Sequence, residues 1–325
     1  MTIAVSVVIP TYRRPHLLYR CLLSLLHQTL DAEAFEVIVV DDGRDGLTRE
    51  VVARVAARRP VHPSVRYLTP PDGARGPAVS RNRGWRAASG DIVAFTDDDT
   101  VPQPGWLAEG VRAVAANVDA AAGRVQVPIP LEPTDYQRNV KRLEDAEFVT
   151  ANCFVRRATL ARIGGFDERF TRAWREDSDL HFSLLEQRAR LVRAPCAVVL
   201  HPVREAAWGV SLKEQRNMLF DALLFKKHPR LYRERIRSRP PLRYYATVLA
   251  LLLAPAAAFA GERQFARGAA ATWLLLTAAF CLRRLAGASR EPRHVLEMIA
   301  TSVAIPVAAV YWRLAGALRF RCRFG

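Results

Sequence analysis

The residues best suited to chemistry are three consecutive aspartates, Asp97, Asp98 and Asp99, which follow the short apolar run Ile92–Phe95. A run of this length is typical of a buried strand, and Pro102 bars its continuation. Adjacent carboxylates repel one another and are poorly suited to burial. A divalent cation that neutralises them would explain their position, since hard cations such as Mg²⁺ prefer oxygen ligands. The alternative interpretation is a solvated acidic turn.

These aspartates need a sheet whose strand ends present them to a ligand, and the pattern of the chain predicts such a sheet. Short apolar runs alternate with segments of helical periodicity, which indicates an α/β fold with a mostly parallel sheet and helices on both faces. In such sheets ligands bind beyond the carboxyl ends of the strands. No Gly-x-Gly-x-x-Gly follows the first run, which argues against a dinucleotide site. The predicted strands are Ala4–Ile9, Phe35–Val40, Val65–Leu68, Ile92–Phe95, Ala120–Val127, Thr150–Arg156 and Ala197–Leu200.

The composition limits the partners and the compartment. The 325 residues carry a net charge of +16, almost all of it from arginine, and half of them are hydrophobic. No basic face interleaved with aromatic residues is visible, so we expect no nucleic-acid partner. The five cysteines are scattered without a Cys-x-x-Cys pair, which favours a reducing compartment over a disulfide framework or a zinc site. The N-terminus has no basic leader, so no secretory signal is expected.

Six short motifs follow one another in a fixed order along the chain. They are Val7–Tyr12, Val39–Gly43, Ser80–Gly84, Phe95–Asp99, Gly164–Glu168 and the pair Glu176-Asp177. In these motifs the chain resembles the family-2 glycosyltransferases, which are inverting, nucleotide-sugar-dependent enzymes of the GT-A fold. Each motif alone is weak, but six in order are a strong signal. The resemblance covers roughly residues 3–203 and leaves the last third to be interpreted separately.

The resemblance implies a divalent cation, Mg²⁺ or Mn²⁺, as cofactor and a nucleotide-sugar as donor. Asp99 would be a metal ligand, while Asp97 would lie near the ribose and Asp98 beside the donor. In related enzymes a histidine after a later strand can meet the metal or the diphosphate, and His201 is placed for that role. A structural histidine before a proline is the alternative for His201.

Further donor contacts follow from the same resemblance. Arg81 would bind the diphosphate through its bidentate guanidinium, unless it is a solvated helix arginine. Asp42 would accept a hydrogen bond from the nucleotide base, although the motif around it also suits an ordinary turn. Pro10, Thr11 and Tyr12 would line the base pocket.

The acceptor hydroxyl must lose a proton as it attacks, and Asp177 of the Glu176-Asp177 pair is the predicted general base. The alternative is that Asp177 caps the helix predicted from Leu180 onward. Asp179 is a weaker candidate for the base. Trp174 would stack on a sugar face on the acceptor side, or else be a buried aromatic residue. No Gln-x-x-Arg-Trp string occurs, so we expect one sugar per reaction rather than a polymer.

The last third of the chain predicts a membrane region. Ser211–Glu214 has the pattern of a capping box that opens a helix. The stretch Lys226–Arg243 then carries eight basic residues and one acid. Such a stretch next to apolar segments is typical of the cytoplasmic membrane interface. The apolar segments are Tyr244–Ala260, Ala269–Leu282 and Met298–Leu318.

These segments predict two or three transmembrane helices, because about 20 apolar residues cross a bilayer. A third crossing would leave Arg319, Arg321 and Arg323 outside, against the positive-inside rule, so the number of crossings stays open. A soluble helical hairpin is the alternative. We therefore expect a catalytic domain over residues 1–205, an interface segment over 206–241 and a transmembrane region over 242–325.

The predicted function is the transfer of a single sugar to a lipid-linked or other saccharide acceptor, by a multi-pass protein of the cell membrane whose catalytic domain is cytoplasmic. Membrane lipids are therefore expected partners. One alternative is a haloacid-dehalogenase-like phosphatase, because Asp97–Val101 spells its Asp-x-Asp-x-Thr/Val string. Such enzymes usually carry that string on the first strand, however, and the only nearby lysine is Lys141. A second alternative is a membrane module that binds a nucleotide-sugar without turnover.

Overall fold

The computed structural model describes residues 3–58 and 61–324. The chain divides into two compact units. Unit 1 combines the chain up to Pro128 with Lys141–Val203, and unit 2 combines Ile129–Val140 with the chain from Arg204 onward. The domain boundaries expected at residues 205 and 241 remain predictions.

Unit 1 alternates strands and helices, as the apolar runs predict. Its strands are β1 (Val5–Thr11), β2 (Phe35–Asp41), β3 (Ser64–Leu68), β4 (Ile92–Thr96), β5 (Val101–Pro102), β6 (Ala120–Gln126), β7 (Asn152–Arg156) and β8 (Leu191–Leu200). Its helices are α1 (Pro15–Leu25), α2 (Gly46–Ala56), α3 (Pro77–Arg86), α4 (Trp106–Ala113), α6 (Arg157–Ile163) and α7 (Glu176–Glu186), while α5 (Asp135–Lys141) begins in unit 2.

The strands of the described residues form one mixed sheet in the order β3-β2-β1-β4-β7-β6-β8-β5. The prediction of parallel pairing is confirmed for β1 with β2, β1 with β4 and β2 with β3. Beyond β4 the sheet is no longer purely parallel, because β7 is antiparallel to both β4 and β6. The short β5, which the sequence did not predict, pairs antiparallel with β8 at the edge, where Pro102 is tolerated.

The chain reverses its direction across the sheet at β1. It adds β2 and then β3 on one side of β1 and returns to place β4 on the other. The gap between the carboxyl ends of β1 and β4 is therefore a switch point, where open α/β sheets bind ligands. The three aspartates directly follow β4, so the fold puts them in that gap.

Unit 2 is helical in its described part. After α5 it contains α8 (Val210–Lys213), α9 (Met218–Lys227), α10 (Pro229–Arg235), α11 (Leu242–Phe259), α12 (Arg263–Leu285) and α13 (Pro292–Arg319). Among the described residues, three helices, α11, α12 and α13, are long and apolar enough to cross a membrane by length and composition. The second predicted segment was too short, because the helix extends to 23 residues with arginines at both ends.

The capping box predicted at Ser211 is wrong. The helix begins at Val210, its N-cap is Gly209 in the left-handed region, and no side chain caps it. The Ser211 hydroxyl instead accepts a hydrogen bond of 2.9 Å from Arg284. A partner 73 residues away along the chain therefore overrides the local motif.

Arg284 is buried and uses every part of its guanidinium within unit 2. Its Nε and Nη2 donate to the Asp135 carboxylate at 3.0 and 2.9 Å, and Nη2 also reaches Ser211. Its Nη1 donates to the hydroxyls of Thr301 and Ser302. One side chain thus joins α5, α8, α12 and α13.

Candidate active site

Four strands direct the motif residues to one edge of the sheet. Strands β1, β2 and β4 are parallel, and β8 runs in the same direction because β7 and β6 reverse the chain twice. Thr11, Asp41, Asp97 and His201, which end or follow these strands, consequently lie at a common edge. The sequence motifs, spread over almost 200 residues, share this edge because the strand directions agree.

Asp97, Asp99 and His201 form a group that could hold a cation. Each offers a ligand atom, and these atoms all lie within 4.8 Å of one another. His201 Nε2 is 3.6 Å from Asp99 Oδ1, and the buried Nδ1 of His201 has no partner in the described residues. The backbone N–H of His201 donates to Gln126 at 2.8 Å, which fixes the residue at the end of β8. The two carboxylates suit a hard divalent cation such as Mg²⁺ or Mn²⁺, and the imidazole is a ligand that transition-metal cations accept.

Asp98 lies between Asp97 and Asp99 in the chain, and its hydrogen bonds connect the two sides of the switch point. It is buried, and it accepts a hydrogen bond of 2.7 Å from the Thr11 hydroxyl and one of 3.1 Å from Arg14. Burial raises the pKa of Asp98 to about 6, although the positive charge of Arg14 opposes the shift. Both carboxylate oxygens are thus engaged, one by the last residue of β1 and one by the loop that follows it.

Arg81 links the aspartates to the predicted catalytic pair. Its Nη2 donates to Asp97 at 2.8 Å and its Nη1 to Glu176 at 3.0 Å. The alternative of a solvated helix arginine is wrong, because Arg81 is only 2% exposed. Its Nε is buried and has no partner in the described part of the chain. The Nε–H of Arg81 is therefore a donor that the described residues leave unused.

Glu176 and Asp177 open helix α7. The alternative that Asp177 is the N-cap is wrong, since the helix begins at Glu176 and the N-cap is Arg175. Burial raises the pKa of Glu176 to about 7 against the opposing charge of Arg81, and burial also raises the pKa of Asp177. Asp177 is half-buried, and Ser178 donates to its Oδ1 from the backbone at 2.6 Å. A carboxylate with a raised pKa suits proton abstraction near neutral pH.

The two aspartates at the end of β2, Asp41 and Asp42, have different roles. Asp41 makes the turn, because its carboxylate accepts from the backbone N–H groups of Gly43 and Asp45 at 2.8 and 2.7 Å. Asp42 accepts from the Gly76 N–H at 3.0 Å through Oδ2, while its Oδ1 is buried without a partner in the described residues. Leaving a buried acceptor unsatisfied costs about 1–3 kcal/mol. Asp42 therefore has an oxygen available for a ligand donor.

The remaining predicted contacts are placed as follows. Pro10 is half-buried and Thr11 is held by Asp98, whereas Tyr12 is 51% exposed. Trp174 is half-buried, and the Arg175 guanidinium carbon lies 4.7 Å from the centre of its ring. Roles in donor or acceptor binding for these residues remain proposals.

Sequence reasoning missed Arg14, which contacts the aspartates of the site, and it did not predict the partners of the motif residue Asn82. Arg14 reaches Asp98, and its Nη1 lies 3.9 Å from Asp99. Asn82 joins two motifs, since it donates to the Phe166 carbonyl and the Glu168 carboxylate at 2.9 and 2.8 Å. Asn82 already stood in a motif, but nothing in the sequence named its partner 84 residues away.

The chain is similar in sequence to known glycosyltransferases. It is 28% identical to Glycosyltransferase AglE of Haloferax volcanii over 223 residues, which cover 65% of this chain and 70% of that protein. It is also 28% identical to the validoxylamine A glucosyltransferase of Streptomyces hygroscopicus over 278 residues. That alignment covers 70% of this chain but only 62% of the Streptomyces protein, less than two thirds of its length.

Solved structures share the fold. The mannosyltransferase PcManGT from Pyrobaculum calidifontis, in complex with GDP-Man and Mn²⁺, superposes with a TM-score of 0.63 at 23% identity. The match covers 97% of this chain and 88% of that one. TarS of S. aureus superposes with a TM-score of 0.53 at 17% identity, over 95% of this chain and 55% of its own. These similarities concern the GT-A architecture.

The family assignment comes from the catalytic part of the chain. The model of Glycosyl transferase family 2 matches residues 6–174, more than half of the sequence. The phosphatase alternative is therefore wrong, and its physical basis also fails, because Asp97–Val101 follows β4 rather than the first strand. The chain belongs to glycosyl transferase family 2 and is a glycosyltransferase.

Proposed function

We propose that this protein transfers one sugar from a nucleotide-diphosphate-sugar to an acceptor hydroxyl, with inversion, at the cytoplasmic face of the cell membrane. The observation that carries the proposal is the convergence of Asp97, Asp99 and His201 with the Arg81–Glu176 ion pair at one sheet edge. This arrangement combines a cation site, an anion-binding guanidinium and a pair of carboxylates with raised pKa.

The donor would lie across the switch point. The unpartnered Oδ1 of Asp42 would accept a hydrogen bond from the nucleotide base, beside Pro10, Thr11 and Tyr12. Gly76 fixes Asp42, and a Cβ at Gly76 would come within 2.9 Å of the Thr171 carbonyl, so this approach requires glycine. PcManGT, which shares the fold, was solved with GDP-Man and Mn²⁺. That complex supports a nucleotide-sugar donor here.

Asp97, Asp99 and His201 would hold Mg²⁺ or Mn²⁺. When bound, the cation supplies Lewis-acid stabilisation of the negative charge on the leaving diphosphate. Arg81 adds positive charge beside it and has an unused Nε donor. Because Asp97 accepts from Arg81, the cation site and the guanidinium are connected by one carboxylate.

Asp177 would act as the general base. The acceptor oxygen forms its bond to the anomeric carbon as the bond from that carbon to the diphosphate oxygen breaks, and the hydroxyl proton passes to the Asp177 carboxylate. Glu176 is a weaker candidate, since it is buried and its Oε1 accepts from Arg81. Trp174 would contact the acceptor sugar on the same side.

The acceptor would be lipid-linked or another saccharide of the cell envelope. Unit 2 supports this part of the proposal, because its apolar helices α11–α13 would anchor the protein in the membrane. The arginine-rich stretch before α11 would contact anionic headgroups on the cytoplasmic side. A membrane-bound enzyme meets amphiphilic acceptors at its own surface.

The test is to incubate membranes that contain the protein with a panel of labelled nucleotide-sugars and Mn²⁺ or Mg²⁺, and then to extract the lipids. We expect label from one donor in the lipid fraction, and its loss in excess chelator. The Asp99→Asn variant should lose the response to the cation. Cation-dependent donor binding without transfer to any acceptor fraction would instead favour the non-catalytic binding module.

A further inference from the structure

Helix α13 has one exposed apolar face. Its large exposed side chains recur every three or four residues, which places them along a single stripe. The 28 residues of the helix extend about 42 Å at 1.5 Å per residue. The stripe consists of Leu296, Ile299, Val303, Val307, Tyr311, Leu314 and Leu318. It therefore runs nearly the whole length of the helix.

The opposite face of α13 packs along the segment Gly209–Lys227, which comprises α8, α9 and the turn between them and is called the polar segment here. At the first end, the Gly209 N–H donates to the Glu297 carboxylate at 2.7 Å. At the other end, Lys226 Nζ donates to the Phe320 carbonyl at 2.8 Å. The polar segment thus follows α13 in the same direction from one end to the other.

The contact between them is close in its second half. A Cβ at Gly316 would come within 2.5 Å of the Leu219 carbonyl oxygen and 3.1 Å of the Ala222 side chain. Only glycine permits this approach, so α9 and α13 lie against each other here. A membrane crossing by α13 would therefore take the polar segment across the bilayer with it.

The middle of the polar segment is unsuited to hydrocarbon, although its second half, α9, is largely apolar and buried. Lys213 and Arg216 are exposed, and Glu214, Gln215 and Asn217 lie beside them in the same turn. Charged side chains in the bilayer interior are strongly disfavoured unless they face a polar cavity or partner. The surface of a membrane accommodates both the charges of this segment and the apolar stripe of α13.

Helices α11 and α12 have the geometry of a membrane hairpin. They contain 18 and 23 residues, and a short connection over residues 260–262 joins them. The ring of Tyr244, at the start of α11, lies 5.4 Å from that of Phe280, near the end of α12. The two helices are therefore antiparallel, and both of their outer ends lie on the same side of the pair.

We propose that α11 and α12 are the membrane crossings and that α13 lies along the cytoplasmic membrane surface. Its stripe would enter the boundary between headgroups and acyl chains of an anionic bilayer. This inference rests on the membrane anchor of the proposed function and goes beyond it by assigning the number of crossings.

The charge distribution agrees with two crossings. The basic stretch Lys226–Arg243, the arginines around the end of α12 and those at and after the end of α13 then share the cytoplasmic side. Arg263 and Arg267 stay at the opposite end of the hairpin. A third crossing would separate Arg319, Arg321 and Arg323 from the other cytoplasmic arginines, against the positive-inside rule.

Cysteine labelling of the full-length protein in cells tests the inference. In a background with Cys196, Cys281 and Cys322 changed to serine, which retains only the buried Cys21 and Cys153, one exposed cysteine at a time is introduced by Glu262→Cys, Arg290→Cys or Arg323→Cys. A membrane-impermeant maleimide is applied to intact and to permeabilised cells. We expect Glu262→Cys to label in intact cells, and Arg290→Cys and Arg323→Cys to label only after permeabilisation.

The outcomes separate the inference from the anchor. Labelling of Arg323→Cys together with Glu262→Cys in intact cells means a third crossing and overturns the inference, while the anchor stands. If Glu262→Cys also needs permeabilisation, the hairpin does not cross, and both the inference and the anchor fail.

A pair of substitutions supplies a second measurement. Val307→Arg lies mid-stripe in α13, and Leu252→Arg is its matched control in α11, also at an exposed apolar position. We expect Val307→Arg to resist carbonate extraction as the unchanged protein does, and Leu252→Arg to reduce the inserted fraction several-fold. Equal loss of both variants would show that the stripe lies in the bilayer interior and would overturn the inference.

Discussion

Arg284 of unit 2 and Arg81 of unit 1 are both buried, and they hold carboxylates in contrasting ways. Arg284 of unit 2 donates from all three of its nitrogens to a carboxylate and three hydroxyls. Arg81 of unit 1 donates to two carboxylates and keeps a buried Nε without a partner in the described residues. Arg284 therefore has no donor left over, whereas Arg81 keeps one beside the residues of the proposed cation site. Because Arg313 of unit 2 also has a buried Nε without a partner in the described residues, the unused donor alone does not mark a ligand site. The contacts of Arg81 with Asp97 and Glu176 support its proposed role in the reaction, and those of Arg284 support a structural role.

The largest expected effect is a loss of turnover without a loss of stability. Asp177→Asn keeps an oxygen that accepts from Ser178 but removes the basicity that the proposed general base needs to take the acceptor proton. Turnover should fall roughly 10²–10⁴-fold, the range of a lost acid–base group. Donor binding and the melting temperature should hardly change. Steady-state turnover and thermal melting measure the two effects.

Asp31→Asn is the matched control, since Asp31 accepts only a local backbone hydrogen bond in an exposed turn. It should leave turnover unchanged. Full activity of Asp177→Asn would contradict the assignment and transfer the role of base to Asp179 or Glu176.

The next largest expected effect is a loss of stability. Arg284→Met leaves Asp135 without its ion pair, and the loss of one partner of a buried pair costs about 3–5 kcal/mol. We expect about 3 kcal/mol, the low end, because the Asp135 side chain is still 24% exposed. Thermal melting of the protein in detergent measures it. The double variant Arg284→Met/Asp135→Leu should regain part of the loss, and a single variant that melts like the unchanged protein would refute the role of Arg284.

A conservative change sharpens the comparison. Lysine keeps the charge but lacks the planar fork of arginine. Arg81→Lys should lower donor affinity or turnover about 10-fold or more, because a hydrogen bond to a charged group contributes about 1.5–3 kcal/mol. Arg284→Lys should mainly lower the melting temperature. If Arg81→Lys changed only stability and Arg284→Lys only turnover, the comparison would be reversed.

The smallest effect tests a carboxylate of unit 1 outside the site. Partial burial would raise the pKa of Asp119, but hydrogen bonds from the Arg190 N–H, Thr159 and Arg162 outweigh it and lower the pKa to about 2. The ionised group therefore stabilises the fold above pH ~4, and this contribution is lost as the pH falls toward 2.

Asp119→Asn should accordingly lower the melting temperature at pH 6, and the difference from the unchanged protein should shrink as the pH falls toward 2. Melting curves over that range measure it. A difference that stays constant with pH would show that the charge of Asp119 contributes nothing.

Of the strands that carry the site, β1, β2 and β4 were predictable because they are mostly apolar runs. Only Ala197–Leu200 of β8 was predicted, because Arg193 and Pro195 interrupt the first part of that strand. Phe35–Val40 and Ile92–Phe95 each differ from the observed strand by one residue. Helix α5 was missed because its seven residues are mostly polar and show no apolar periodicity. Strand β5 was missed because its two residues are strand only through pairing with β8.

The residues and contacts at the site also divide into those that the sequence predicted and those that it did not. The aspartates, Arg81 and His201 stand in motifs or at strand ends, so their types and positions pointed to chemistry. The role of Arg14 depends on Asp98, 84 residues later in the chain, and Ser211 was misassigned because Arg284 engages it from a distant helix. Local patterns identify which residues can act, while long-range contacts decide what each of them touches.

The ion pair of Asp135 with Arg284 also determines the order in which parts of the chain can reach their final structure during synthesis. Asp135 is synthesised 149 residues before its partner, and at roughly 5–20 residues per second the ribosome needs about 7–30 s to cover that distance. All eight described strands of unit 1 are made within the interval or before it. Helix α5, carried between β6 and β7, can take up its final contacts only after α12 has emerged. Helix α5 lies in the middle of the catalytic sequence, and it is therefore the last part of that sequence to reach its final contacts.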